Sequence, residues 1–182
     1  MNPENVHYLN VFLGTGAIFL QIFSVIALFL LFIGPKKNQY LDFIDKHYLK
    51  LGFLISLAAS VFVLVYSEII GYVPCYLCWY QRVCIFPLVF IFGVAMWYKD
   101  RKIIKYVLPL LSVGFLISIY MNLVYYFKAD AANIPCDATG ASCYQQLIYE
   151  FGGYISMPML ALTTFVALLT VVLVAHFYKK ED

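Results

Sequence analysis

Two cysteine pairs are the residues of this chain best suited to chemistry: Cys75-Tyr76-Leu77-Cys78, and further on Cys136 with Cys143. Thiols in two close pairs can exchange disulfides with one another and so pass electrons two at a time. That chemistry needs both pairs in one oxidising compartment, because disulfides persist outside the cytosol and are rare within it. In a Cys-x-x-Cys at a helix start the sulfurs are near enough to bond, and the helix N-terminal dipole favours a thiolate. Arg82 lies four residues after Cys78. If the helix already runs through Cys78, the two side chains project from one face about one turn apart. A permanent cation beside the sulfur favours its thiolate further. An arginine at the mouth of an apolar span is costly to place, and such residues are functional candidates by default. The plainer alternative is that it snorkels to lipid headgroups. An organic acceptor with polar carbonyls and an apolar tail, such as a quinone, suits this place, since its ring would meet Arg82 and the sulfur while its tail stayed in lipid.

The elements that position these residues are membrane helices. Of 182 residues, 64% are hydrophobic and 12% charged, against roughly 25% charged in an average soluble domain. A helical crossing needs about 20 apolar residues, and five segments qualify: 11–34, 51–73, about 79–98, 106–127 and 154–178. They are continuous apolar runs without period-2 alternation, which argues for helices rather than a barrel. The first segment is expected to be retained as a span. Residues 1–10 carry no Lys or Arg and the apolar run is long, whereas a cleaved signal has a basic start and a short apolar core.

Orientation follows from the basic residues, which are enriched on the cytoplasmic side. Lys36, Lys37, Lys46 and Lys50 lie between spans one and two, and Lys99, Arg101, Lys102 and Lys105 between spans three and four. Lys179 and Lys180 come after span five, leaving Lys128 and Arg82 for the other side. The N-terminus is therefore expected outside, the C-terminus in the cytoplasm, and both cysteine pairs outside.

Residues 35–50 hold Tyr40, Leu41, Phe43, Ile44 and Tyr48 among their charges, the pattern of a short amphipathic stretch lying on the cytoplasmic surface. The loop holding Cys75 and Cys78 is short and keeps both sulfurs near the membrane face. Residues 128–153 form a long polar excursion around Cys136 and Cys143. Within it, Tyr144, Leu147, Ile148 and Phe151 recur at helical spacing. Cys84 falls in the apolar part of span three and reads as a packing thiol. Glu68, near the outer end of span two, reads as a solvated interfacial group, with proton handling as the alternative. Tyr72, Trp79 and Tyr80 suit an interfacial aromatic belt or the lining of a ring pocket. Pro87, Pro109 and Pro158 are expected to kink their helices.

The run Cys75-Tyr-Leu-Cys78-Trp-Tyr-Gln-Arg82, with a second outer cysteine pair two spans later, resembles the disulfide bond formation protein B (DsbB) family of bacterial inner-membrane thiol oxidases. The resemblance covers roughly residues 51–178. It implies an all-α integral membrane protein with a four-helix transmembrane bundle core, here with one extra N-terminal transmembrane helix. It implies a division into 1–50, the added helix and cytoplasmic loop, and 51–182, the core with two extracytoplasmic cysteine loops. In that family electrons pass from a soluble DsbA-like thioredoxin-fold oxidant to the loop pair, then to the membrane-face pair, then to a quinone, ubiquinone or menaquinone. Carried over by position, Cys136 would take the mixed disulfide with the partner, Cys143 would pass electrons to Cys75, and Cys78 would face the quinone beside Arg82. The implied location is the bacterial cytoplasmic (inner) membrane. The chain departs from the family pattern in its extra first span and in the close spacing of Cys136 and Cys143.

Three other classes fit these residues less well. A four-thiol zinc site is opposed by the oxidising side and by the cation at Arg82, so no metal is expected; His7 and His176 sit at opposite membrane ends. A transporter or structural membrane protein with stapled loops would show a polar path through the bilayer midplane, where the spans have almost no ionisable groups. The vitamin K epoxide reductase-like family has its loop pair before the Cys-x-x-Cys, and here the order is reversed. Lipid is the surrounding medium, and no nucleic-acid partner is expected.

Overall fold

The computed structural model describes residues 3–34, 38–127 and 151–178. Among them are five helices long and apolar enough to cross a membrane. They are α1 (Pro3–Ile33), α2 (Gln39–Leu64), α3 (Tyr76–Tyr98), α4 (Ile104–Phe127) and α5 (Met157–Phe177). A π-helical turn, Val65–Ile69, continues α2, and a 3-10 turn, Arg101–Ile103, leads into α4.

Three boundaries differ from those read in the sequence. First, α1 begins at Pro3, well before the apolar run. Second, residues 39–50 are not a stretch lying on the membrane surface but the opening turns of α2. Asn38 caps this helix by accepting from the Tyr40 N–H at 2.9 Å. Leu41, Ile44 and Tyr48 are buried there against Ala27 of α1 and Val171 and Val174 of α5. The amphipathic pattern was real, but its apolar face meets protein. Third, Pro158 does not kink a helix. It occupies the first turn of α5, where a missing N–H costs nothing, and its carbonyl accepts from Asn122 Nδ2 at 2.8 Å. Pro87 and Pro109 do lie inside α3 and α4.

Helices α2, α3, α4 and α5 close a ring in which each packs on its two neighbours, and α1 leans from outside mainly on α5. Apolar burial alone cannot hold helices together in lipid, so close approach of backbones and polar contacts matter more. Gly52, Ser56 and Ser60 recur every four residues on the buried face of α2. A Cβ on Gly52 would stand 2.6 Å from Cε1 of Phe92 on α3. Gly114 on α4 is likewise overlain by the ring of Phe165 on α5. Phe92 and Phe165 fill the ring's centre with Leu88, Leu111 and Leu168. At one end Arg101 pairs with Asp45, joining α2 to the α3–α4 turn. The cysteine pair lies at the other end.

Because the Phe165 ring is fully buried and has nowhere to turn, Gly114→Val is expected to cost about 1–3 kcal/mol. The check is thermal unfolding in detergent. An unchanged transition would mean that α4 and α5 are not in close contact at this point.

Candidate dithiol site

The site is made by the way α2 ends and α3 begins. In the π-helical turn the Ile70 N–H donates to the Val65 carbonyl at 3.1 Å, and the Tyr72 N–H reaches back to the Tyr66 carbonyl at 3.0 Å. Gly71 has φ 84, a left-handed conformation that glycine adopts without steric cost. The chain turns there and runs extended to Cys75, whose φ of −69 and ψ of 166 place it at the N-cap of α3. The Trp79 N–H then donates to the Cys75 carbonyl at 3.2 Å, the first bond of the helix. Pro74 immediately before the cap is compatible with this extended entry.

One turn of helix brings the sulfurs of Cys75 and Cys78 to 3.1 Å from each other. Cys75 is buried, Cys78 partly so, and both pack near Leu77 and Met121. A cavity of about 450 Å³ opens beside them. Its walls are largely apolar, and its few polar side chains include Gln81 and Arg82 of α3. Arg82 is only 8% exposed. Its guanidinium carbon lies 5.0 Å from the centroid of the Trp79 ring, a favourable cation–π placement. Its Nε has no hydrogen-bond partner among the described residues. Gln81 is fixed instead, donating to Ser118 Oγ at 3.0 Å, and Ser118 donates to the Gly114 carbonyl at 2.8 Å.

The structure thus brings Cys75, Cys78 and Arg82 to one cavity, with Arg82 turned into the bundle. Cys136 and Cys143 lie outside the described residues, as do Tyr144, Leu147 and Ile148. Cys84 is 4% exposed and packs among Ile85, Leu88 and Phe92 in the bundle core, as a packing thiol should. Glu68 is exposed and accepts from Ser67 Oγ at 3.1 Å, and Ser67 lines the cavity. Of the three aromatic candidates, Tyr72 lines the cavity, stacked on Tyr66 with centroids 5.9 Å apart. Trp79 and Tyr80 are exposed on the outer surface. Sequence reasoning missed Tyr66, Gln81 and the contribution of α1. A glutamine inside an apolar span is a signal in its own right; Tyr66 carried none that distinguishes it from the other aromatics.

An all-α membrane bundle built around a cysteine pair is the class that the fold and site define. The family model described as "Disulfide bond formation protein DsbB" matches residues 45–175, and the chain belongs to that family of membrane disulfide-formation proteins. Oxidoreductase activity follows from this membership. Among similar curated proteins, "Disulfide bond formation protein C" of Bacillus subtilis (strain 168) is 38% identical over 67% of this chain and 87% of its own length. "Probable disulfide formation protein C 2" of Bacillus anthracis is 32% identical over 76% of this chain and 97% of its own. A "Probable disulfide formation protein" of Coxiella burnetii (strain CbuK_Q154) is 36% identical over 64% of this chain and 78% of its own. No solved structure matches.

The burial pattern predicts an order of labelling by a small maleimide after reduction. Cys78 reacts first and Cys75 more slowly, while Cys84 reacts only once the protein is unfolded. Peptide mass analysis after timed quenching reads this directly. Labelling of Cys84 in the folded protein at the rate of Cys78 would contradict the placement of its sulfur in the core.

Proposed function

We propose that this protein re-oxidises a soluble DsbA-like thioredoxin-fold oxidant outside the cytoplasm and hands the electrons to a membrane quinone, so sustaining disulfide formation in exported proteins. The observation that carries the proposal is Arg82, a cation only 8% exposed in the lining of the apolar cavity shared with Cys75 and Cys78. A guanidinium held in an apolar setting is expensive. A carbonyl-bearing ligand with an apolar body matches both the guanidinium and the walls, so the residues present fit a quinone.

In this reading the chain is a four-helix core, α2 to α5, with α1 added. It sits in the bacterial inner membrane with its N-terminus outside, its C-terminus in the cytoplasm and both cysteine pairs extracytoplasmic. The count of basic residues supports that orientation. One thiolate of the partner attacks the Cys136–Cys143 disulfide at Cys136. The partner's second thiolate resolves the mixed disulfide and leaves the partner oxidised and Cys136 and Cys143 as a dithiol. Cys143 then attacks the Cys75–Cys78 disulfide at Cys75, and Cys136 closes on Cys143, leaving Cys75 and Cys78 reduced. When bound, a quinone would supply the two-electron, two-proton sink that lets the Cys75–Cys78 disulfide re-form. Arg82 would hold the acceptor's carbonyl, and Trp79 braces the guanidinium. A DsbA-type oxidant at about −120 mV is too oxidising for glutathione-like acceptors to regenerate, which is why a respiratory acceptor is needed.

The test uses purified full-length protein, a reduced DsbA-type protein and quinone absorbance. Cys75→Ser and Cys78→Ser are each expected to abolish quinone reduction, and full turnover by either would defeat the proposal. Arg82→Ala is expected to raise the apparent KM for quinone by roughly ten- to a hundredfold, the loss of one hydrogen bond from a charged donor, with the cysteines still reactive. An unchanged quinone dependence would return Arg82 to a purely structural role.

A further inference from the structure

We infer that α1, which lies outside the residues matched by the family model, forms the lipid-side mouth of the acceptor cavity, and that Gly16 is a specificity-determining notch through which the acceptor's apolar tail leaves for the bilayer. This rests on the quinone reading above. Phe12, Leu13, Gly16, Ala17 and Leu20 line the same cavity as Cys78 and Arg82. Their spacing puts them on one face of α1, with Gly16 one turn from Phe12 on one side and one turn from Leu20 on the other.

The rotation of α1 is fixed by polar contacts on both sides of this glycine. Towards the N-terminus, the Tyr66 hydroxyl donates to Asn10 Oδ1, and both residues are buried. Towards the C-terminus, Gln21 Nε2 donates to Thr163 Oγ1 at 2.8 Å, and the Tyr154 hydroxyl donates to Gln21 Oε1 at 2.9 Å. Interhelical hydrogen bonds of this kind orient helices in lipid. With its rotation set, α1 presents Gly16 to the cavity and Phe19 and Ile22 outward, both exposed.

Glycine in a helix costs about 1 kcal/mol against alanine, so its presence calls for a reason. At Gly52 and Gly114 the reason is an aromatic ring standing where the Cβ would be. At Gly16 no atom of the described residues lies within 4 Å of that point. Gly16 is exposed and lines the cavity that Arg82 also lines, so the open point lies at the cavity's mouth. A tail that extends from a ring held by Arg82 needs a gap in the helix wall, and the notch between Phe12 and Leu20 supplies one.

The experiment compares two probes, decylubiquinone and the tailless ubiquinone-0, on full-length protein in nanodiscs. Binding is read by quenching of tryptophan fluorescence and turnover by quinone absorbance. Gly16→Leu closes the notch and is expected to weaken decylubiquinone by about tenfold in both readouts, while ubiquinone-0 stays within about twofold. Phe19→Ala, on the outward face, leaves both probes as in the native protein. Gly16→Met gives the same split should the leucine variant fail to accumulate in the membrane. Equal weakening of both probes, or of neither, overturns the notch while leaving the quinone reading intact. A native protein that binds and reduces neither these probes nor menaquinone-4 overturns both.

Discussion

The structure depends on keeping one guanidinium out of water. Arg82 sits in a helix of otherwise apolar character, 8% exposed, where placing such a group costs about 3 kcal/mol even on permissive insertion scales. Two features around it lower that cost. Trp79 offers the face of its ring, and the group lies near the N-terminal end of α3, close to an interface. Neither gives the Nε a hydrogen bond. The bundle retains a cation whose Nε its described residues do not satisfy, on a residue that lines a cavity shared with two cysteines. An unmatched buried polar group calls for an explanation, and Arg82 differs from the others, at Tyr48, Ser60 and Asn122, in lining the cavity shared with the cysteines.

The local geometry that brings the sulfurs there comes from the backbone between α2 and α3. A π-helical turn adds a residue to the helical repeat and re-aims the chain beyond it, and Gly71 permits the reversal of direction. Cys75 then caps α3 instead of lying in a free loop, so Cys78 falls in the first turn and Arg82 one turn below. A regular α-helical end to α2 would shift the register of Tyr66 and Tyr72, both of which line the cavity. The dithiol is consequently built into the first turn of a helix although it lies at the end of the bundle, and its buried member, Cys75, packs with Leu77 and Met121.

Much of this was legible in the chain, for identifiable reasons. Hydropathy reports solvation by lipid, so it located five spans, and the Cys-x-x-Cys with Arg82 at helical spacing carried its own geometry. What hydropathy does not report is hydrogen-bond continuity. Lys46 and Lys50 end an apolar run but do not end a helix, and α2 therefore begins at Gln39 rather than near residue 51. The amphipathic face of that segment was visible, yet a membrane surface and a neighbouring helix are chemically alike to such a face. Only the packing of Ala27, Val171 and Val174 distinguishes them. Pro158 misled because a proline signals a kink or a beginning according to where the helix starts, which periodicity leaves uncertain by a turn. Tyr66 became a site residue through packing alone, whereas Gln81, polar inside an apolar span, could have been found.

The added helix shows how a closed membrane bundle can be extended without being rebuilt. The ring of α2 to α5 already satisfies its own backbone, so a further helix needs only a matching surface and a few polar contacts to set its rotation. Asn10 and Gln21 provide those contacts from α1, and each meets a hydroxyl, of Tyr66 and of Thr163 respectively. Between these two residues α1 presents a large residue, a glycine and a large residue to the cavity at successive turns. The packing of α1 is lopsided, close on α5 and sparse on α2. The loose side is the one where the cavity lies. A helix tied firmly to one neighbour and held away from the other maintains a gap in the protein wall at a fixed depth in the bilayer, which close packing on both neighbours would remove.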